Sequence, residues 1–131
     1  MQQTSVPPSA LDVVLGFYRL ALLEKQPTLA FRRFMSTEFV EHKPDVEFGT
    51  RESAASYLEE LMSSLPGATW EIVRAVADAE LVAIHAKFTP QPGAQPYAIA
   101  DFFKVRAGVI VEHWDVVAGP SSKVQNPHPR F

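Results

Sequence analysis

The chain has 131 residues, of which 47% are hydrophobic and 21% charged, and its formal net charge is −3. That length suits one domain around one core, residues 1–131. The acidic balance, with Arg32-Arg33 as the one adjacent basic pair, argues against a nucleic-acid footprint or charge-driven membrane binding. Cysteine is absent, which removes disulfides, thiolate catalysis and Cys-based zinc sites and leads us to expect a cytoplasmic location. The apolar stretch Leu11 to Leu23 has no basic leader, is interrupted by Arg19 and is too short to span a bilayer.

The opening MQQTSVPPS is polar and proline-bearing, so residues 1–9 are expected to form a loose arm. Ser9 is placed to cap a helix, with Asp12 three residues on. Leu11, Val14, Leu15, Tyr18 and Leu22 recur at helical spacing and predict an amphipathic helix to about Glu24. Pro27 suits the first turn of a second helix carrying Phe31, Phe34 and Met35. EFVEHKP reads as a short strand ending at Pro44, and DVEFGT as a loop turned by Gly49. Thr50 caps a third helix with Ala54, Tyr57, Leu58, Leu61 and Met62 as its apolar stripe, ended by Leu65-Pro66-Gly67.

From Thr69 the hydrophobic period changes to two. TWEIVRAVA, LVAIHAKFT, YAIADFFKVR and VIVEHWDVV predict four strands on short links, hence an antiparallel meander in chain order. The tail, residues 119–131, is expected to be a flexible or lid-like end. Helices followed by a meander define the α+β class: three N-terminal helices packed on a curved antiparallel sheet, with a conical cavity between the layers.

The candidates for chemistry are Tyr18, His42, His85, Asp101, His113, Trp114 and Asp115. Asp101 shares a strand face with Tyr97, Ile99, Phe103 and Val105, so a carboxylate emerges from an apolar wall, as small-molecule pockets require. The Ala107-Gly108 hairpin leaves two registers open. A plain two-residue loop sets Asp101 opposite Trp114 and turns His113 and Asp115 to the other side; a bulge or a three-residue loop sets Asp101 opposite His113. For several residues a structural reading competes. Tyr18 on an apolar helix face fits a core aromatic. His85 fits a satisfied histidine at a sheet surface or subunit interface, and Trp114 fits a core filler. A metal site from His42, His85, His113 and Asp101 lacks any local ligand spacing, and there is neither a GxSxG nor a glycine-rich phosphate loop. The expectation is therefore no metal and no organic cofactor.

The element order, with FVEHKPDVEFGTRES after two helices and ADFFKVRAGVIVEHWDVV at the end, resembles the SnoaL-like branch of the NTF2-like superfamily. The resemblance implies the NTF2-like cone, a homodimer through the outer face of the sheet, and a small apolar or carbonyl-containing ligand. SnoaL-type cyclases close a ring by aldol condensation with an aspartate as acid and base, which points to Asp101 or Asp115. In ketosteroid-isomerase-like members a helix tyrosine and a strand aspartate hold the enolate oxygen. Those places fall on Tyr18 and Asp101, and His42 falls where the proton-shuttling carboxylate would be. His113, Asp115 and Val117 fall where that group lines its cavity. A limonene-epoxide-hydrolase-like reading would use Asp115 to activate water, but the arginine expected to bridge two aspartates is not evident.

These observations together predict cofactor-independent proton transfer next to a carbonyl, of aldol or isomerase type. His42, Asp101, Tyr18, His113 and Asp115 are the expected catalytic groups, and Trp114, Phe103, Tyr97, Val117 and Ile99 the expected substrate-binding ones. The competing expectation is a non-catalytic ligand-binding or dimeric scaffold protein with the same fold. Convergence of the ionisable residues on one cavity discriminates between them.

Overall fold

Residues 6–131 are described by a computed structural model; the expected N-terminal arm falls in part on residues 1–5, which lie outside the described residues. Helix α1 (Ala10–Tyr18) starts where Ser9 Oγ accepts a hydrogen bond from the Asp12 amide at 3.1 Å. It passes directly after Tyr18 into a π-helical turn, Arg19–Leu23, so the expected single helix to Glu24 is two pieces. Helix α2 (Pro27–Phe34) places its proline in the first turn, where the missing N–H is no loss. Met35, expected in that helix, instead opens strand β1 (Met35–Glu41). Helix α3 (Arg51–Ser64) is capped by Thr50, whose hydroxyl accepts from the Ser53 amide at 3.2 Å.

Strands β2 (Thr69–Asp78), β3 (Leu81–Thr89), β4 (Tyr97–Arg106) and β5 (Val109–Ala118) form the predicted antiparallel meander. The sheet order is β1-β5-β4-β3-β2, and β1 joins β5 in parallel, an addition to the antiparallel sheet expected. The helices cover one face of this sheet. Phe17 of α1 meets Phe31 of α2 edge-on at 5.1 Å and Phe103 of β4 at 5.9 Å, binding the helical layer to the strands. Val82, Ile84, Phe103 and Ile110 supply the buried inner face. No described helix is long and apolar enough to cross a membrane.

The β4–β5 hairpin resolves the register question in a third way. Ala107 and Gly108 both have positive φ (52° and 80°), as a two-residue mirror-image turn demands. Val105 then pairs with Ile110, but Lys104 pairs with Glu112, so Val111 is an extra residue in a β-bulge. Beyond it Phe103 faces His113 and Asp101 faces Asp115. Neither expected pairing, Asp101 with Trp114 or with His113, occurs. The bulge nevertheless puts Asp101, His113 and Asp115 on one face, the inner one.

The C-terminal tail lies on the outer face rather than across the cavity. Phe131 stacks on the His85 ring at 5.7 Å, and Arg130 donates to the carbonyls of Gly119 (2.8 Å) and Ala118 (3.1 Å). His85 itself points outward and accepts a hydrogen bond at Nδ1 from Arg74 at 2.6 Å, as expected for a satisfied surface histidine.

Candidate active site

Between the helices and the inner sheet face lies a cavity of about 430 Å³. Its wall is mostly apolar and aromatic, with contributions from Phe17, Phe31, Leu58, Trp70, Phe88 and Phe103. The polar groups gather at the β1–β5–β4 end. Phe39 of β1 is buried toward the helices, so by strand alternation Glu41 and Lys43 turn the same way and reach the cavity.

His113 is held between two carboxylates. Its Nε2 lies 2.8 Å from Asp101 Oδ1, and its Nδ1 lies 2.7 Å from Glu41 Oε2. The Lys43 amide donates to the same Glu41 oxygen at 3.2 Å, which fixes that carboxylate from the strand side. Behind it Gly49, at φ +62°, leaves only 2.7 Å between a would-be Cβ and the Glu41 carbonyl oxygen, so only glycine lets the loop approach β1 there. Burial alone would disfavour the charged ring. The hydrogen bonds and negative charges of Asp101 and Glu41 outweigh it and push the His113 pKa up to about 10. At neutral pH His113 is thus an imidazolium donating from both nitrogens.

A second pair lies beside the first. Lys43 Nζ donates to Asp115 Oδ2 at 3.0 Å, and that contact raises the lysine's pKa against the opposing effect of its partial burial. Opposite, on α1, Tyr18 is 1% exposed and lines the cavity, yet its hydroxyl has no hydrogen-bond partner among the described residues. Burial, then the nearby Asp101 charge and a hydrogen-bonding interaction with that carboxylate too loose to make a formed bond, push its pKa well above the usual tyrosine value, so it stays protonated. An orphaned buried hydroxyl costs free energy unless something binds it.

Of the sequence-derived candidates, Tyr18, Asp101, His113, Asp115, Phe103, Tyr97, Ile99 and Val117 all line this cavity. His42 and Trp114 do not. Both sit on the outer face, where their rings stack in parallel at 4.8 Å and His42 Nε2 lies 2.7 Å from Glu112. The expectations of His42 as base and of Trp114 as a pocket wall are corrected by strand alternation: each has neighbours on both sides that point inward. Glu41 and Lys43 were not anticipated. The buried Phe39 two residues before Glu41 was the available signal.

Asp101, His113 and Asp115 bring ligand atoms within 4.8 Å of one another. A cation there would need His113 to lose a proton held by two carboxylates and Lys43 to leave Asp115. The trio is better described as a hydrogen-bonded array.

The SnoaL-like domain profile matches residues 14–113, and the chain belongs to this SnoaL-like family. Its fold is shared with IdmH of Streptomyces antibioticus, a proposed polyketide cyclase, at 23% identity and a TM-score of 0.70 over 84% of this chain and 92% of that one. TsrD of Streptomyces laurentii is similar at 15% identity and a TM-score of 0.69, over 86% of this chain and 91% of that chain. An NTF2-like protein of unknown function from Cytophaga hutchinsonii aligns at 16% identity and a TM-score of 0.68, over 88% and 94%. Among curated protein sequences there is no match. The chain thus joins membership of the SnoaL-like family to a cavity-bearing fold shared with an NTF2-like protein.

Proposed function

We propose that the cavity catalyses proton transfer at a carbon next to a carbonyl, without an organic cofactor, in a reaction of aldol or isomerase type. The Glu41–His113–Asp101 array, set at the polar end of an apolar cavity opposite the unpartnered Tyr18 hydroxyl, carries this reading. Because His113 is already protonated, the base falls to a carboxylate. Asp101 is suited to it: only Oδ1 is hydrogen-bonded among the described residues, which leaves Oδ2 for a substrate proton.

In this scheme the C–H bond breaks as Asp101 takes the proton, and the electron pair moves onto the carbonyl oxygen. Tyr18 donates a hydrogen bond to that enolate oxygen, and the His113 charge lowers the energy of the added negative charge. The enolate carbon then either attacks a second carbonyl, whose alkoxide recovers the proton from Asp101, or accepts the proton back at another position. Asp115, held by Lys43, shapes the polar end and orients the substrate.

The test is deuterium uptake at the α-carbon of β-tetralone in heavy water. Acceleration over buffer that Asp101→Asn lowers by about 10²-fold or more supports the scheme. Binding of β-tetralone with no acceleration favours a ligand-binding protein instead.

We also infer a homodimer through the outer sheet face. Register places Val76, Ala83, Phe102 and Trp114 in one row across four strands there, with Val76 66% exposed. Sedimentation at micromolar concentration decides it: a monomer overturns this assignment.

A further inference from the structure

Negative charge remains in the cavity after each ion pair is counted. Glu41, Asp101 and Asp115 line its buried end against Lys43 and His113, and Asp45, 68% exposed, stands at its rim. Glu41 and Asp101 share the single charge of His113, and Lys43 is held by Asp115 at 3.0 Å with Asp45 at 3.9 Å. An uncompensated charge in a site walled by aromatic and aliphatic groups is costly, and an arriving cation relieves that cost.

The excess continues outward. A second hollow adjoins the cavity, sharing Asp45 and Tyr57 with it and adding Glu47, Glu52 and Glu60. Arg51 answers Glu52 at 3.2 Å, while Glu47 and Glu60 have no ion-pair partner among the described residues. The rim that the cavity shares with this hollow is therefore acidic as well as its polar end, and such a field concentrates cations and repels anions. The orphaned Tyr18 hydroxyl is a separate observation pointing the same way: the cavity is completed by something that is not protein.

We propose that the cavity takes a ligand carrying a protonated amine on an otherwise apolar, ring-sized frame, and discriminates against carboxylate and phosphate groups. This rests on the cavity being the ligand site of the proposed function, and adds the charge of what enters it. The amine sits toward Asp45, beside Tyr57, where the hollow and the cavity join. The apolar frame lies along Trp70, Phe88 and Phe103, and Tyr18 meets the ligand's oxygen.

Calorimetry in chelator-containing buffer at neutral pH compares β-tetralone with its amine and carboxylate counterparts. The amine is expected to bind at least about tenfold more tightly than the carboxylate, with the neutral ketone between them. In the double variant Glu47→Gln, Glu60→Gln that ratio is expected to fall about twofold to threefold while ketone affinity is unchanged. Equal affinities, tighter binding of the carboxylate, or a ratio that the double variant leaves unchanged overturns the proposal. Deuterium uptake by β-tetralone is read in the same samples. Loss of charge selectivity with uptake intact sinks this inference alone; selectivity without uptake sinks the catalytic reading alone.

Discussion

His113 Nε2 sits 2.8 Å from Asp101 Oδ1 because a β-bulge takes Val111 out of the alternation of β5. Without the bulge, alternation from the Ala107-Gly108 turn would carry His113 to the outer face. Deleting Val111 removes only the extra residue and leaves Phe103 opposite His113, so the contact is expected to survive. Nitrogen-15 NMR checks this: the deletion variant should still show His113 protonated on both ring nitrogens at neutral pH, and loss of that signature would contradict the register argument.

Stability should fall as the solution becomes alkaline. The folded-state pKa of His113, about 10, is above its ordinary 6.5, so its contribution is fully present below 6.5. It is lost as pH rises, because the unfolded chain releases a proton that the folded one retains. The raised pKa values of Tyr18 and Lys43 act in the same direction at still higher pH. Denaturant midpoints between pH 7 and 10 should decline by the equivalent of roughly 1 kcal/mol per unit or more. A flat profile would mean that the imidazolium is not held as described.

Glu41→Gln keeps the shape of the side chain and removes one of the two charges that hold the His113 proton. The His113 pKa should drop, so the alkaline decline should still set in near 6.5 but end at a lower pH, with a smaller total loss. His113→Ala is harsher, since it leaves two buried carboxylates facing each other with no cation between them. A loss of about 3–5 kcal/mol is expected at neutral pH, partly recovered in acid as the carboxylates protonate.

Tyr18→Phe separates function from stability. The hydroxyl has no partner, so its removal should leave the midpoint unchanged or raise it by up to about 1 kcal/mol. Deuterium uptake by β-tetralone should nevertheless fall by about 10²-fold. A destabilised Tyr18→Phe with unchanged uptake would make the tyrosine a core residue only.

His42→Ala should leave uptake within about twofold, because the ring stacks on Trp114 outside the cavity. A loss comparable with that of Asp101→Asn would reinstate His42 as a base.

The elements were largely legible because each is marked locally. Ser9 and Thr50 cap their helices, Pro27 opens another, and the period of two from Thr69 exposes the meander. Family membership was legible too, since the EHKP loop and the EHWDV strand stand in the expected order. The site was legible only in part. One inserted residue reverses every side chain beyond it, and nothing about Val111 distinguishes it from the valines around it. At the end of β1 the eye falls on His42, but the inward face belongs to the alternate positions set by Phe39. Parity relative to a buried anchor was readable there, while a bulge in mid-strand was not.

Glu41 reaches His113 from 72 residues away, across the parallel seam between β1 and β5. The β2–β5 meander can form from neighbouring hairpins, and the long loop this seam must close leads us to expect that it forms after them. On that order the protonated imidazole would acquire its second carboxylate last. Partial opening at the β1 edge would release Glu41 and alter the His113 titration while the meander remains intact. The array is thus a built-in reporter of whether folding has run to completion, and hydrogen exchange at the His42 amide, which donates to the His113 carbonyl at 3.0 Å, would time that final step.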